Sequence, residues 1–343
     1  MRSRVIGGEF ELRSIPEGRV HRSDMHKYAS GRAALYQILK SIIPAPVKVW
    51  LPDWLCKSMI DAVSRAGINY SFYRLGSDYR MDVQHFLDSN KFVGRQEAIL
   101  LVNYFGLTDI EKTIQELRSS QVEAVIIEDD VQAFFSFRRN DECSADYRFT
   151  SLRKTIASPD GGMVKTYRSM IPPLNDNTFA PFKLKGALVK GKADKETDDS
   201  EYLSLFEKGE ALIDENYESG MSDEGLRIYF STDFDMVAEK RMTNAQFLVK
   251  ELSQFGIEPL MPISSEAVPL FVPIKIDRRD EVRKALRQHN IFCPVHWPLR
   301  DDMKELSMGT EMAEKELSVV IDQRYTEEDM ASIVDVIKDT LWR

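Results

Sequence analysis

The chain has 343 residues, 43% of them hydrophobic and 29% charged, which is enough for a large globular domain and a smaller one. The formal net charge of -9 disfavours a nucleic-acid-binding protein, which would need a basic face. No apolar run is long enough to span a membrane, and the first residues lack the apolar core of a signal peptide. Cys56, Cys143 and Cys293 are scattered without CxxC spacing, which argues against a disulfide framework or a metal site. The cytoplasm is therefore the expected location.

The first predicted helix follows a polar, irregular stretch, residues 1–25, which is expected to form an arm. Ser30 can cap this helix, and Leu35 and Leu39 belong to its apolar stripe. A Ser-Gly pair at a helix N-terminus offers free N–H groups and the positive end of the helix dipole to a phosphate. An ordinary capped helix without a ligand is the alternative interpretation of this stretch.

Short apolar segments alternate with helical ones over the next hundred residues. Strands are predicted at Val47–Pro52, Ile68–Leu75, Ala98–Gly106 and Val125–Ile127, with helices at Asp53–Val63 and Ile110–Leu117. This alternation predicts an α/β fold with a mostly parallel sheet. Ligands of such sheets bind outside the carboxyl ends of the strands, where Asn103, Asp129 and Gln132 are expected to lie.

Lys154 is the strongest catalytic candidate in the sequence. It follows the pair Thr150-Ser151 and precedes the turn Pro159-Asp160-Gly161-Gly162. Burial or a nearby cation makes the neutral amine of a lysine available as a Schiff-base nucleophile. A lysine taken alone is more often a surface residue than a catalytic one. The prediction for Lys154 therefore depends on the other candidate site residues in the chain.

The remaining chain is predicted to contain a variable segment and a second domain. Residues 168–224 read as a loop followed by solvated helices, with the charged run Lys190–Glu201 on an exposed face. Residues 225–343 read as a linking helix and a small α+β domain, after a large domain at 26–224. Its predicted elements are an edge strand at Val268–Ile276, a helix at Asp280–His289, a strand at Ile291–Leu299 and a final helix capped by Thr326.

The order of these features resembles the fold-type-I pyridoxal-phosphate enzymes, and among them the DegT/DnrJ/EryC1/StrS sugar aminotransferases. The resemblance extends from about Ser30 to the C-terminal helix. Its most specific parts are Glu128-Asp129 with Gln132-Ala133, and Lys154 followed by Gly161-Gly162. It implies a large domain of the PLP-transferase type, pyridoxal 5'-phosphate as cofactor, and a homodimer with its sites at the subunit interface.

The resemblance also implies a role for each candidate residue. Lys154 would form the Schiff base with the cofactor and shuttle a proton, and Asp129 would pair with the pyridine nitrogen. Gln132 would approach the phenolic oxygen, and Trp54 lies near where the family has an aromatic residue stacked on the ring. The backbone at Gly31 and Arg32 would hold the phosphate, and Ser151 or Thr150 would add a hydroxyl group.

The sequence departs from the family pattern at three places. The family usually has a phosphate-binding serine five residues before the lysine, where this chain has Phe149; Ser151 is the possible replacement. Pro159-Asp160-Gly161-Gly162 stands where Gly-Glu-Gly-Gly is common, and Gly31-Arg32 stands for the usual Gly-Thr. These departures indicate a divergent branch, whose substrate does not follow by analogy.

Taken singly, most candidates also have an ordinary structural interpretation. Asp129 could be a turn acid, Trp54 a core residue, and His296 part of a packed turn. Arg324 could receive a donor carboxylate as a bidentate fork, or it could be a solvated arginine. His296 and Arg324 are kept as candidate substrate contacts. The joint occurrence of the other residues in the right order favours a site.

The leading hypothesis is therefore an aminotransferase that moves an amino group from a donor such as glutamate to a keto-sugar, nucleotide-linked in this family. A second hypothesis keeps the cofactor but changes the reaction to elimination or dehydration. Lys154 argues against the family's dehydratase branch, which has histidine at this position. A third is a non-catalytic sugar-binding protein with the same fold. A nicotinamide-dependent dehydrogenase is disfavoured, because no GxGxxG follows the first strand.

Overall fold

The computed structural model describes residues 5–18, 25–90, 96–139, 144–193, 199–298 and 307–342. Cys143, Leu299, parts of the arm and part of the charged run lie outside these ranges. Of the other two cysteines, both free thiols, Cys56 is half-buried and Cys293 is buried. Among the helices of the described ranges, none combines the length and the apolarity that a membrane crossing requires.

Strands in the described residues form one large sheet and two small ones. They are β1 (Ile6–Gly7), β2 (His26–Tyr28), β3 (Lys48–Pro52), β4 (Asn69–Tyr73), β5 (Glu97–Val102), β6 (Val125–Asp129), β7 (Tyr147–Ser151), β8 (Gly162–Lys165), β9 (Phe271–Lys275), β10 (Ile291–Phe292) and β11 (Glu316–Val320). The large sheet has the order β2-β8-β7-β6-β5-β3-β4. Strands β7, β6, β5, β3 and β4 are parallel, whereas β8 runs antiparallel to both its neighbours. The predicted mostly parallel α/β sheet is confirmed.

Helices cover both faces of this sheet. The helices of the described residues are α1 (Gly31–Ser41), α2 (Lys57–Arg65), α3 (Val83–Ser89), α4 (Ile110–Ser119), α5 (Phe134–Arg139), α6 (Ala180–Lys192), α7 (Ser200–Leu212), α8 (Asp223–Ser231), α9 (Phe234–Ser253), α10 (Arg279–Gln288), α11 (Ser307–Lys315) and α12 (Glu327–Leu341). Every residue of β5 is buried. Leu100 packs with α1 and α2, and Ile99 and Leu101 pack with α3 and α4 on the other face. Two covered faces explain why the strand is apolar without alternation.

The C-terminal residues form a smaller α+β unit with a core of its own. Strands β9 and β11 pair antiparallel, and β1 of the arm pairs in parallel with β10. The core joins these strands to α9, α10 and α12 through residues such as Val272, Leu286 and Ile333. The smaller α+β unit is thus confirmed, while the boundaries 26–224 and 225–343 stay predictions.

Several predicted bounds differ from the observed elements. The strand expected at Ile291–Leu299 is only two residues long, because the chain turns after Phe292 through Pro294 and Pro298. The helix expected at Asp53–Val63 begins later, at Lys57, after an irregular stretch that follows β3. The helix caps agree with the prediction at Ser30, whose Oγ accepts a hydrogen bond from the amide of Ala33 at 3.2 Å.

Candidate active site

A cavity lies at the carboxyl ends of β5, β6 and β7, beside the N-terminus of α1. It encloses about 750 Å³, part of it open to solvent. We call it the sheet-edge cavity, and its lining consists of Ser30, Gly31, Arg32, Leu55, Cys56, Ser58, Met59, Val102, Asp129, Val131, Gln132, Ser151, Arg153, Lys154, Glu210 and Trp297. This is the edge at which parallel α/β sheets bind ligands.

Six of the ten predicted site residues line the sheet-edge cavity. They are Gly31, Arg32, Asp129, Gln132, Ser151 and Lys154. Lys154 ends a short 3-10 turn directly after β7, and its side chain is exposed. It makes no hydrogen bond or ion pair with a described residue, and it also lines a second cavity. Lys154 therefore stands at the junction of two cavities with its amine available.

Asp129 and Gln132 present polar atoms that the protein leaves unpartnered. One oxygen of Asp129 accepts a hydrogen bond from the amide of Val131 at 2.8 Å; the other has no partner among the described residues. Burial raises the pKa of Asp129 to about 6, although the Val131 amide and the charge of Lys154 oppose the rise. Gln132 accepts from the amide of Phe105 at 3.2 Å, while its buried Nε2 donor has no partner in the described structure. A ligand with a cationic group and an acceptor would satisfy both.

The end of the cavity near α1 is suited to an anion. The first helical residue, Gly31, leaves its backbone open because it has no side chain. A Cβ there would lie 3.1 Å from Val131 Cγ2 and 3.4 Å from Ser151 Cβ. Helix N-termini carry free N–H groups and a positive partial charge, which together bind phosphate groups.

The variable segment reaches this end of the cavity through α7 and the short 3-10 turn that follows it. Glu210 and Asp214 form ion pairs with Arg32 at 3.0 and 2.6 Å, and Glu210 also pairs with Lys183 at 2.9 Å. Burial by itself would raise the pKa of Glu210, but Arg153, Lys183 and Arg32 lower it to about 2. The guanidinium of Arg32 is thus held by two carboxylates. No local pattern in the sequence indicates that Glu210 meets Arg32 in space.

Four of the ten predicted residues do not line the sheet-edge cavity: His296 and Arg324, which line the second cavity, and Trp54 and Thr150. Trp54 is 1% exposed and stacks on Tyr104 with ring centroids 4.5 Å apart. Trp297 lines the cavity and packs against the edge of Trp54 at 5.7 Å. Thr150 is fully buried, and its hydroxyl donates to the carbonyl of Asp130 at 2.8 Å. Of the predicted hydroxyl groups, Ser151 is the one that lines the cavity.

A second cavity, which we call the basic cavity, lies on the other side of Lys154. Six cationic side chains and two carboxylates line it: Arg153, Lys154, Arg241, Arg283, Arg287, Arg324, Glu9 and Asp322. His296 lines it too, as does the end of the arm. An excess of positive charge in a concave site favours an anionic ligand.

The arginines of the basic cavity differ in how many carboxylates of the protein they contact. Arg324 forms two hydrogen bonds to Asp322 at 2.8 Å and one to Glu11 at 3.0 Å. Burial would lower its pKa, but bonding to Asp322 raises it. Arg241 is 1% exposed and its Nε has no partner in the described structure. Arg283 and Arg287 lie one turn apart on α10, and burial together with the charge of Arg287 lowers the pKa of Arg283. The unmatched charge therefore comes from Arg241, Arg283 and Arg287 rather than from Arg324.

A buried ionic network supports β6 beneath the site. Arg148 on β7 is 4% exposed and pairs with Glu128 at 3.0 Å and with Asp130 at 2.7 Å. Asn103 donates to the other oxygen of Asp130 at 3.1 Å. Side chains alternate between the two faces of a strand, so Glu128 and Asp130 point to the face opposite Asp129. Their contacts with Arg148 and Asn103 fix the end of β6 while Asp129 faces the cavity.

Replacing Arg148 with methionine should lower the free energy of unfolding by about 3–5 kcal/mol, because two buried carboxylates lose their cation. Urea unfolding followed by tryptophan fluorescence measures the loss. Arg278→Met is the matched control, since this exposed arginine forms a surface ion pair with Glu281, and its unfolding midpoint should stay close to that of the wild type. Equal midpoints for the two variants would contradict a supporting role for the network.

No family model matches the sequence, and no curated protein does. Solved structures match it at probability 1.00. DesV of S. venezuelae, in complex with a ketimine intermediate, is 18% identical, with 94% of this chain and 86% of DesV covered and a TM-score of 0.66. Spr1654 of Streptococcus pneumoniae, described as a sugar aminotransferase and solved in its PMP form, is 14% identical, with 95% and 91% covered and a TM-score of 0.68. A DegT DnrJ EryC1 StrS aminotransferase from Brucella abortus is 18% identical, with 94% and 87% covered and a TM-score of 0.61. The chain has the fold of these aminotransferases, as the resemblance implied.

Proposed function

We propose that this chain is a pyridoxal-phosphate-dependent aminotransferase that moves an amino group from an amino-acid donor to a nucleotide-linked keto-sugar. The observation that carries the proposal is one cavity lined by Lys154, the buried carboxylate of Asp129 and the unpartnered amide of Gln132. The shared fold supports it, because one of the similar structures holds a ketimine intermediate and another is a PMP form.

The polar atoms of the sheet-edge cavity fit the cofactor at three points. The free oxygen of Asp129 matches a protonated ring nitrogen, since a cation beside this carboxylate would offset the cost of its burial. The orphaned Nε2 donor of Gln132 matches the phenolic oxygen. The start of α1 and the hydroxyl of Ser151 match the phosphate, and the absent Cβ of Gly31 leaves room for it.

The roles of the protein groups follow from these positions. When bound, pyridoxal phosphate supplies an electron sink for the negative charge that develops on the substrate carbon. Asp129 stabilises positive charge at the far end of the cavity. The Nζ of Lys154 would hold the cofactor as a nucleophile, and once a substrate amine has displaced it, the free Nζ would carry the proton of the substrate carbon. Trp297 and Val131 exclude water beside the reacting groups.

The basic cavity is the proposed position of the substrates. It adjoins Lys154, so a ligand held there would present its reacting carbon to the amine. Arginine forks bind carboxylate and phosphate groups in a bidentate manner, and both an amino-acid donor and a nucleotide-linked sugar carry such groups. Arg283 and Arg287 are better candidates for this contact than Arg324, whose guanidinium is already paired with Asp322.

The proposal is tested by incubating the protein with pyridoxal phosphate, L-glutamate and a panel of nucleoside-diphosphate 4-keto-sugars. Mass spectrometry should detect 2-oxoglutarate and a sugar product in which an amino group has replaced the keto oxygen. Glutamate turnover without an aminated sugar would refute the sugar substrate. No change in glutamate under conditions where the cofactor is bound would refute the aminotransferase activity itself.

Replacing both Arg283 and Arg287 with glutamine should raise the KM for the anionic substrate by about 10–100-fold, because two charge-assisted hydrogen bonds are lost. We expect kcat to stay within about threefold, since neither residue lines the sheet-edge cavity and the lost binding is common to ground and transition states. Steady-state kinetics give both constants. Arg278→Gln, at the exposed start of α10, is the matched control. An unchanged KM in the double variant would place the substrate elsewhere.

The assembly and the location of the protein belong to the same proposal. We propose a homodimer because the family that the sequence resembles builds its sites at a subunit interface, and a cytoplasmic location because the cysteines are few and scattered. Size-exclusion chromatography with light scattering tests the first. A mass of 39.5 kDa in solution would identify a monomer.

A second candidate function is a non-catalytic protein that binds an anionic sugar. One observation favours it: at the anion-binding end of the cavity, Glu210 already neutralises Arg32 and Arg153. On this alternative the basic cavity binds a ligand, while pyridoxal phosphate gives neither a visible absorption band nor a thermal shift. A band bleached by borohydride would eliminate this candidate.

A further inference from the structure

Three polar side chains form a buried chain of hydrogen bonds behind the basic cavity. Glu316 and Ser318 stand on the same face of β11, and both are fully buried. The hydroxyl of Ser318 is hydrogen-bonded to Oε1 of Glu316, and Nδ1 of His296 lies 2.7 Å from that hydroxyl. The backbone amide of His296 donates to Oε2 of Glu316 at 2.6 Å. We call these three residues the Glu316 relay.

The cavity end of the relay is the second ring nitrogen of His296. The histidine is 8% exposed and lines the basic cavity together with Lys154, and its Nε2 makes no hydrogen bond with a described residue. Burial and the charge of Lys154 lower the pKa of His296 to about 3. The imidazole is therefore neutral at ordinary pH, and one of its nitrogens carries a proton while the other offers a lone pair.

The protonation state of Glu316 determines which ring nitrogen of His296 carries the proton. When Glu316 is ionised, Ser318 donates to Oε1, so the serine oxygen accepts from Nδ1–H and Nε2 is left with its lone pair. When Glu316 is protonated, its proton belongs on Oε1, because Oε2 already accepts the amide of His296. Glu316 then donates to Ser318, Ser318 donates to Nδ1, and the imidazole proton lies on Nε2. The second arrangement holds one proton more than the first. A proton taken up from solvent at Nε2, followed by the shift of the Nδ1 proton to Ser318 and of the Ser318 proton to Glu316, converts the first into the second, and the histidine is neutral in both.

We propose that Glu316 and Ser318 are positioning residues that set the hydrogen-bonding direction of His296 towards a ligand in the basic cavity. With Glu316 protonated, Nε2 donates to a ligand oxygen; with Glu316 ionised, Nε2 repels that oxygen by its lone pair. The identity of the ligand as a substrate rests on the proposed aminotransferase function, whereas the relay itself is a property of the protein alone.

The surroundings of Glu316 determine the pH at which it loses its proton and His296 changes tautomer. Burial raises the pKa of Glu316 to about 8, although the amide of His296, the hydroxyl of Ser318, Arg279 and Arg283 all oppose the rise. The thiol of Cys293 also interacts with Glu316, and burial raises its pKa to about 12, so it stays neutral across this range. Below about pH 8 His296 is a donor, and above it an acceptor. An anionic or carbonyl oxygen should therefore be bound more tightly on the acid side.

The tautomer can be read directly by nitrogen NMR of the ligand-free protein labelled with 15N-histidine. Five histidines contribute signals, and His296→Gln identifies the one of interest. In the wild type we expect the protonated nitrogen to change from Nε2 to Nδ1 between pH 6.5 and 9.5, with a midpoint near 8. In Glu316→Gln the side-chain amide donates to Ser318 at every pH, so Nε2 should stay protonated throughout. In Ser318→Ala the pH dependence should disappear.

Cys293→Ala is the matched control, because it removes the other ionisable group next to Glu316 and should leave the midpoint unchanged. A single tautomer across the whole pH range in the wild type would overturn the relay. So would a change of tautomer that persists in Glu316→Gln. Neither outcome depends on the cofactor, so a protein that never binds pyridoxal phosphate can still confirm or refute the relay.

The effect on a ligand is measured with 2-oxoglutarate as the probe, by calorimetry at pH 6.5 and 9.5. The dissociation constant at pH 9.5 divided by that at pH 6.5 should be about tenfold larger in the wild type than in Glu316→Gln, because only the wild type loses the Nε2 donor at the higher pH. Equal ratios in the two proteins would overturn the part of the proposal that concerns the ligand. Every other titrating group is the same in the two proteins, so its effect on binding cancels when their ratios are compared.

Discussion

Replacing Lys154 with alanine is expected to lower the rate of amino transfer by about 10⁴-fold or more, because one amine serves as both nucleophile and proton carrier. Among the described residues of the sheet-edge cavity, Arg153 is the nearest cation in sequence, and a guanidinium does not deprotonate to take over either role. The visible absorption band that borohydride bleaches should vanish with the same substitution. Stopped-flow absorbance with glutamate measures the rate of the first half-reaction.

Two further variants separate the chemistry of Lys154 from its charge and from folding. Lys154→Arg keeps a cation at the junction of the two cavities and should lose activity to the same extent. Lys185→Ala removes an exposed lysine of α6 and should behave as the wild type. The thermal midpoint of Lys154→Ala should change little, because Lys154 is exposed and has no partner among the described residues. Activity within tenfold of the wild type in Lys154→Ala would remove this residue from the mechanism.

The sequence predicted the central sheet because the relevant signals are local. Continuous apolar runs such as β5 need only their own residues to indicate a strand covered on both faces. Asp129 ends β6 and Gln132 follows it closely, so the rule that ligands bind at the carboxyl ends of strands was sufficient to place both at this edge, whereas Lys154 was assigned through the family resemblance. The capping serine of α1 is local in the same sense.

The parts that the sequence did not predict depend on contacts between distant segments. Trp297 and Trp54 are both aromatic residues near turns, and only the packing of Trp54 on Tyr104 decides which one lines the cavity. Glu210 reaches Arg32 across the variable segment. Strand β11 was missed because Glu316 and Ser318 interrupt its apolar pattern, yet both are buried through their bonds to His296. A hydrophobic pattern fails to predict a buried strand when polar residues occupy core positions.

Replacing Asp129 with asparagine is expected to lower kcat by about 10²–10³-fold, the usual effect of removing one electrostatic contact to developing charge. The amide keeps the size of the side chain and still accepts from the amide of Val131, so the backbone should not move. What is lost is the negative charge that stabilises a cation at this end of the cavity. Binding of pyridoxal phosphate should weaken as well, which fluorescence titration measures.

The same substitution should stabilise the protein without cofactor, and this opposite sign is the sharper test. Because burial raises the pKa of Asp129 to about 6, folding favours the protonated form, and the stability that this proton contributes is lost as the pH rises from about 4 to about 6. At pH 7.5 the ionised carboxylate therefore costs the folded state up to about 3 kcal/mol, which asparagine avoids. Urea unfolding without cofactor should show Asp129→Asn more stable than the wild type at pH 7.5, with the gain much smaller at pH 4. Asp109→Asn, at the exposed cap of α4, should show neither effect. If Asp129→Asn lost both stability and activity at pH 7.5, Asp129 would be a structural residue, and the assignment of the sheet-edge cavity to a cationic ring would fail.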